Sequence, residues 1–545
     1  MTSRSLGHRA PLLWLVLPLM AGLATGKLGL PGGTWLHLGI ALVAAAVALI
    51  AVGRGSRIWA AALLTSMFFA GAASYALHRE RLADWDSLPP REARLSLKVD
   101  RVFAASDPKK VNGLATVVRS DAHLRDLTGQ HVYYSLALRP GSAAPTRSAV
   151  ISTVGVLVTL PRNPPADTFD GYLAGAGMNF RLTRGRVLDE ERPALAYYRF
   201  CAEAAARFNT IFGLGIADKR PELAGLLRAM MLGSTHELSN EQRTLFMQSG
   251  TMHLFAISGL NIGVIATALQ ALLLLLRFPA WARFVIGLVL LWLFVDITGT
   301  SPSAVRAFAM AAFLQAAFIF QRPGNLLAAL VMSAFAVIVL FPLQVFSASF
   351  IMSYGIVTAL LVLGLPLGEA WQARWTPWRD LPTVTWRWWH HVVSYAWRIT
   401  GATLAIGIAT TLVSLVTGVQ FFRLLTPGAL AANLVLIPAA GVVTLGGFAS
   451  LLCGLSGFAW GAALCNHAAA LVLLVIEWLV RLSVQLPGAF VPARFTYDWT
   501  GPTVLVLLIG ALLAGYAAGW KRRLGGWWPP FAIVAIALLF GVKFG

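Results

Sequence analysis

Apolar positions fall in long unbroken runs along most of this chain. Stretches of about 17–25 residues with few charges predict membrane-crossing helices near 11–30, 34–52, 57–77, 250–276, 281–299, 301–320, 323–341 and 345–365. Further runs follow at 400–419, 428–453, 457–482, 501–519 and 527–543. The shortest can also form re-entrant segments, so the expectation is about 11–13 crossings. One interval breaks the rule. Between 78 and 195, LSLKV (95–99), HVYYSLAL (131–138) and VISTVGVLVTL (150–160) alternate or carry β-branched residues, and Gly/Pro clusters separate them. That pattern predicts a small all-β unit of about five strands, an OB-like barrel. Residues 196–249, including ELAGLLRAMMLGS, read as amphipathic helices lying at the membrane interface. The predicted organisation is thus 1–77 transmembrane, 78–195 β domain, 196–249 interfacial and 250–545 transmembrane.

Composition agrees with a polytopic α-helical membrane protein. The chain is 57% apolar and 12% charged, with mean hydropathy +0.70, which excludes an ordinary soluble domain of this length. The run beginning at Pro11 is long and another follows at once, so it predicts a retained helix and not a cleaved signal. The net charge of +20 sorts by loop. With the N-terminus cytoplasmic, inner loops receive Arg4, Arg9, Arg54, Arg57, Arg277, Arg283, Arg322, Arg374, Arg379, Arg387, Arg398 and Lys521–Arg523. Outer loops receive only Lys27, Arg423, Arg481, Arg494 and Lys543. This bias places the β domain and the C-terminus outside. Excess positive charge also suits an anionic partner, lipid or nucleic acid.

The interval 371–398, WQARWTPWRDLPTVTWRWWHHVVSYAWR, interleaves Trp with Arg. It reads as an interfacial segment with Trp at the headgroups and Arg toward anionic lipid, with single-strand stacking as the alternative. Cys201, Cys453 and Cys465 form no metal-ligand spacing.

The candidate chemistry consists of polar residues inside apolar runs. HLFAISGLNIG (253–263) opens the fourth run with His253, Ser258 and Asn261. On a continuous helix these three fall within an arc of about 140°, and Gly259 and Gly263 lie on the opposite side. The glycines then form a G-x-x-x-G packing face, and the polar trio faces something polar. SPSAVRAFAM (301–310) starts a helix with Ser301 and Pro302, followed by Ser303 and Arg306. Asp296 is the candidate ion-pair partner of Arg306. Ser349 and Ser353 sit one turn apart, and Asn433 lies in LAANLVLIPAA. Recurrence on several spans suggests a water-filled path. For each residue alone, an ion pair or interhelical hydrogen bonding suffices.

Catalysis finds little support. AISGL lacks the glycines of a nucleophile elbow, and a Ser258–His467 pair as in an intramembrane serine hydrolase is geometrically open but not required. No zinc or nucleotide-binding motif occurs, so no cofactor, metal or enzymatic role is expected.

These motifs together resemble the ComEC competence proteins. HLFAISGLNIG resembles that family's HLLAISGLHIG signature, and SPSAVRA resembles its second, Ser-rich signature. FSASFIMSYGI, ANLVLIPAAG and NPPADTFDGYLAGAGM (163–178) are similar to three more family segments. Asn261 stands where the family carries a second histidine, Ser349 for a glycine and Ile351 for a glutamine. The resemblance implies an inner-membrane channel for single-stranded transforming DNA; within it His253, at a helix N-terminus that favours anions, and Arg306 are the residues expected to touch phosphate. It implies partners too: a DNA receptor outside, and a helicase or single-strand-binding protein in the cytoplasm. Long members carry a C-terminal metallo-β-lactamase-like domain. The sequence stops at Gly545, so the expectation is either a short form or a separate nuclease that serves it. The alternative is a transporter of another anionic substrate, a lipid or cell-wall precursor.

Overall fold

The computed structural model describes residues 9–53, 56–79, 89–103, 107, 109–121, 127–141, 143–162, 164–255, 257–322, 324–378, 380–522 and 525–544. Arg4, Arg54, Ala256, Arg379 and Arg523 lie outside these described residues, as does Asn163 of the NPPADTFD segment.

Three helices come first: α1 (Leu13–Lys27), α2 (Gly33–Ala51) and α3 (Ser56–Arg79). The barrel follows, with β1 (Arg91–Phe103), β2 (Lys110–Ser120), β3 (His131–Ala137) and β4 (Val150–Thr159), then helix α4 (Phe169–Gly175) and β5 (Phe180–Arg192). Its strands close in the order β1-β2-β3-β5-β4, with β3 and β5 parallel and the other neighbours antiparallel. This is the five-stranded, OB-like barrel that the alternation predicts. Leu95, Leu97 and Val99 of β1 and Val132, Tyr134 and Leu136 of β3 fill its interior. Gly185 lets β5 coil against β4, since a Cβ there would lie 1.9 Å from the Val154 carbonyl oxygen.

The remaining helices are α5 (Ala196–Gly213), α6 (Pro221–Leu232), α7 (Asn240–Gln248), α8 (Gly259–Leu275), α9 (Ala280–Ile297), α10 (Pro302–Ile319) and α11 (Leu326–Leu340). Then come α12 (Ala348–Ala359), α13 (Leu365–Arg374), α14 (Trp388–Thr417), α15 (Ala429–Leu455), α16 (Ala459–Gln485), α17 (Thr500–Ala517) and α18 (Trp528–Phe540). Among the described residues ten segments are long and apolar enough to cross a membrane, and α1, α11 and α18 are shorter apolar helices in expected places. The chain is a polytopic helical membrane protein with an inserted β barrel.

The interval 371–398 holds the end of α13, reached from α12 through a π turn over Leu360–Gly364, and the start of α14 at Trp388. Two expectations need correcting. The helix α6 was expected at the interface, yet Leu223 to Leu227 and Ala229 to Met231 are all buried among neighbouring helices. The G-x-x-x-G face is the second. A Cβ on Gly259 would meet only Ala307, at 3.7 Å, and one on Gly263 would meet nothing within 4 Å. The close crossing lies elsewhere, between α1 and α3. A Cβ on Gly22 would sit 1.8 Å from the Phe68 carbonyl oxygen, and one on Gly71 2.2 Å from that of Leu19. Small residues do bring two backbones into contact here, but from helices distant in sequence.

Two separate apolar cores hold the helices. One gathers α5 to α9, the start of α10, α15 and α16. The other gathers α1, α11, α12, α14, α17, α18 and the π turn after α12. Loop strands β6 (Leu424–Leu425), β7 (Val491–Phe495) and β8 (Val542–Phe544) form one small sheet, in which Arg494 pairs with Lys543. Beside it, Arg423 Nε donates to Asp167 of the barrel at 2.5 Å. Arg423, Arg494 and Lys543, three of the cations assigned to outer loops, therefore lie beside the barrel.

Reporter fusions at Ser120 and Thr385 should report opposite sides of the membrane, the former periplasmic; the same side for both would break this topology. Gly22→Ala should lower stability by about 1–3 kcal/mol through overpacking, read by thermal denaturation in detergent. Gly263→Ala should leave it unchanged. Equal effects would refute the crossing at Gly22.

Candidate functional site at the seam between two helix bundles

The helix α10 stands between the two cores. It touches α8 and α9 on one side and α11 and α12 on the other. Within it only Ala304 and Arg306 are fully buried, and all the rest but exposed Phe318 are half-buried, so it is partly covered along its whole length. Its start is well defined. The Ser301 side chain accepts from Ala304 N at 3.3 Å, and Pro302 occupies the first turn. Ser303 Oγ donates to the Ile257 carbonyl at 2.6 Å, which ties α10 to the segment before α8.

Arg306 is 2% exposed. Its Nη2 donates to Ser349 twice, to the carbonyl oxygen and to Oγ, each at 2.7 Å. The guanidinium lies 5.9 Å from the Tyr354 ring centroid, within cation–π range. Nε and Nη1 are buried and have no hydrogen-bond partner in the protein. An arginine in a bilayer costs about 2.5–3.5 kcal/mol on insertion scales. Here two acceptors and one aromatic face offset it, while two donor nitrogens stay open. Arg306 and Ser349 join α10 of one bundle to α12 of the other.

The expected Asp296–Arg306 pair is not formed. Asp296, at the end of α9, accepts from Arg147 Nη1 at 3.1 Å, Thr300 Oγ1 at 3.1 Å and the Tyr197 hydroxyl at 2.7 Å. Arg147 comes from the barrel loop between β3 and β4, and it also donates to Thr300 at 2.7 Å. Burial and the bond to Asp296 push the Tyr197 hydroxyl well above its ordinary pKa, so it stays a donor. With Arg147 closer, Asp296 has no need of Arg306. Arg147, Tyr197 and Thr300 escaped the sequence reading because no local pattern links a barrel loop to a helix end 149 residues later.

The other candidates divide. HLFAISGLNIG is not one helix. Met252–Leu254 is a short 3₁₀ turn, Ser258 is the N-cap of α8, accepting from Asn261 N at 3.3 Å, and α8 begins at Gly259. The common polar arc of His253, Ser258 and Asn261 therefore does not exist. His253 is exposed and shares a 3.1 Å hydrogen bond with the Gly250 carbonyl. Asn261 is 2% exposed; its Nδ2 donates to the Met230 carbonyl at 3.0 Å, and its Oδ1 accepts from Thr444 at 3.4 Å. Such a side chain clamps α6, α8 and α15 together and faces no path. Ser353 lies one turn beyond Ser349, and Asn433 Oδ1 is buried with no protein partner. His467 pairs with the Ala463 carbonyl of its own helix, and no hydrogen bond joins it to Ser258 among the described residues. No cluster of three or more metal-ligating side chains occurs among the described residues.

A polytopic helical bundle with an inserted barrel and a buried, half-satisfied arginine at its seam defines the class of protein. The sequence model of the competence protein family matches residues 230–522, more than half of the chain. The ComE operon protein 3 of Bacillus subtilis (strain 168) is 26% identical over 142 residues, which span 26% of this chain and 18% of that relative. No solved structure matches. The chain belongs to the competence protein family.

Asn261→Ala should leave the Met230 carbonyl unsatisfied and cost about 1–3 kcal/mol, seen as a lower melting temperature in detergent. A melting temperature unchanged from the parent would mean that the clamp does not hold α6.

Proposed function

We propose that this protein forms an inner-membrane path for single-stranded DNA during competence, carrying the strand from the barrel side into the cytoplasm. The observation that carries this reading is Arg306. It is a buried cation on a span whose other residues are mostly half-buried, held at the boundary of two bundles with two N–H-bearing nitrogens free of protein partners. A strand with one negative charge per nucleotide cannot cross hydrocarbon without such a path. Guanidinium meets phosphate as a bidentate fork, and a single cation binds weakly enough for the strand to move on. Ser303, Ser349, Ser353 and Asn433 would line the same seam. Asn261, Ser258 and His253 are better read as parts of the frame around it. Membership in the competence family and the overall charge of +20 support a polyanionic substrate. The barrel would receive the strand outside from a surface receptor. A helicase or single-strand-binding protein would draw it in, with a separate nuclease removing the other strand.

Arg306→Ala should abolish entry of labelled DNA into the cytoplasm while surface binding persists. Arg306→Lys should retain part of the uptake, because a point charge remains but the fork is lost. Wild-type uptake in Arg306→Ala cells with wild-type protein levels would refute the proposal.

A further inference from the structure

The barrel touches the membrane domain at the starts of the two helices that Arg306 joins. On one side, Arg147 binds Asp296 and Thr300, and Thr300 directly precedes Ser301, the N-cap of α10. The Arg147 guanidinium also lies 4.7 Å from the Tyr198 ring centroid, beside Tyr197. On the other side, the α4 end of the barrel meets the start of α12. A Cβ on Gly175 would sit 3.5 Å from the Cβ of Ser347, the residue that caps α12 two positions before Ser349. Nearby, Asp167 binds Arg423 at 2.5 Å. One ion pair thus ties the barrel to each bundle, while Arg79 at the end of α3 donates to the Met178 and Arg162 carbonyls and to Asn179 and holds the barrel at its covalent entry.

The two pairs share an asymmetry. The carboxylates are shielded, with Asp296 4% and Asp167 15% exposed in their side chains. The cations are reachable, with Arg147 36% and Arg423 64% exposed. An anion arriving from the barrel side meets guanidinium first and competes with the carboxylate behind it. Both anchor residues on the membrane domain also carry strained backbone: Thr300 and Arg423 each have φ of +53°, an outlying value for β-branched Thr300.

We infer that the barrel is a gate over the seam, latched by Arg147–Asp296 and Arg423–Asp167, and that an incoming phosphodiester polyanion opens it by taking over the two arginines. This deepens the proposed function and rests on the seam being the path. The mechanism is exchange of partners. As a phosphate replaces Asp296, that carboxylate keeps the Tyr197 and Thr300 hydroxyls as donors, so the buried charge is not left bare. As the barrel lifts, the starts of α10 and α12 lose their common brace. The Arg306–Ser349 contact can then part, which frees the guanidinium for phosphate.

The test uses the full chain in nanodiscs, with Cys201, Cys453 and Cys465 replaced by Ala and Ser353→Cys as the reporter. The readout is the rate of labelling by a polar maleimide. Arg147→Gln and, separately, Arg423→Gln should each speed labelling several-fold over the latched protein. In a second protein, Gly175→Cys with Ser347→Cys should form a disulfide, since the 3.5 Å Cβ separation is at the lower edge of the normal range. Oxidation should slow labelling below the latched rate, and reductant should restore it. Inorganic polyphosphate, too dilute to change ionic strength, should accelerate labelling of the latched protein but not of the disulfide-locked one.

Equal rates in latched, Gln-substituted and locked proteins would overturn the gate, as would labelling indifferent to polyphosphate. Because these rates involve no DNA, they are separate from the uptake of Arg306 variants. A gate that responds as expected beside normal uptake in Arg306→Ala cells would sink the transport reading alone, and the reverse pattern would sink the gate alone.

Discussion

The constraint on which the rest depends is the guanidinium of Arg306 inside the membrane region. Burying an arginine among apolar helices is unfavourable unless acceptors meet it. Among the described residues its hydrogen-bond acceptors are both on Ser349, which lies on another helix in another bundle. The contact therefore fixes the approach of α10 to α12 and with it the relation of the two apolar cores. Had Asp296 been the partner, the charge would have been neutralised within one bundle and the seam would need no polar link. Instead Asp296 turns toward the barrel, and Arg306 is left with donor capacity to spare.

Polar residues in the membrane region fall into two kinds, which composition does not separate. Asn261 is bonded through both its amide and its carbonyl, Ser333 pairs with Tyr354 at 2.7 Å, and Gln270 pairs with Gln315 at 3.1 Å. These are interhelical hydrogen bonds that hold packing. Arg306 and Asn433 keep buried polar atoms without protein partners, as do Ser450 and Asn466, whose amide is otherwise bonded; among these Arg306 alone carries a charge. A list of intramembrane polar residues reads the two kinds alike. Bonding tells them apart, and bonding is a property of the assembled helices.

Much of the fold was legible because it depends on short-range pattern. Hydrocarbon thickness sets the run length, so the spans could be placed, and alternation in LSLKV and HVYYSLAL marked barrel strands. The misreadings have a common cause. HLFAISGLNIG is apolar on both sides of Ser258, and hydropathy alone runs straight through a helix break that only the cap reveals. A serine there reads as a lining residue until its Oγ is seen accepting from Asn261 N. Gly259 and Gly263 have the right spacing but no backbone pressed against them, whereas Gly22 and Gly71 meet without any shared motif. Spacing on one helix says nothing of which helix lies opposite.

The position of the barrel in the chain gives these contacts their consequence. It is inserted between α3 and α5, so covalent links hold it only loosely to α10 and α12, which come more than a hundred residues later. Its placement over their starts therefore rests on side chains: Arg79 of α3 beside the entry of the chain, and, at the far helices, Arg147, Asp167, Arg423 and the apposition of Gly175 with Ser347. Surface-exposed ion pairs contribute little stability, typically about 0–1 kcal/mol, and Arg423 with Asp167 comes nearer to that case through its exposed guanidinium, although the carboxylate is shielded. Arg147 with Asp296 differs, because the carboxylate is enclosed and bonded three ways. A joint with one firm and one weak tie can hinge without dissociating: the weak tie yields first, and the firm one keeps the barrel beside α10 as it turns.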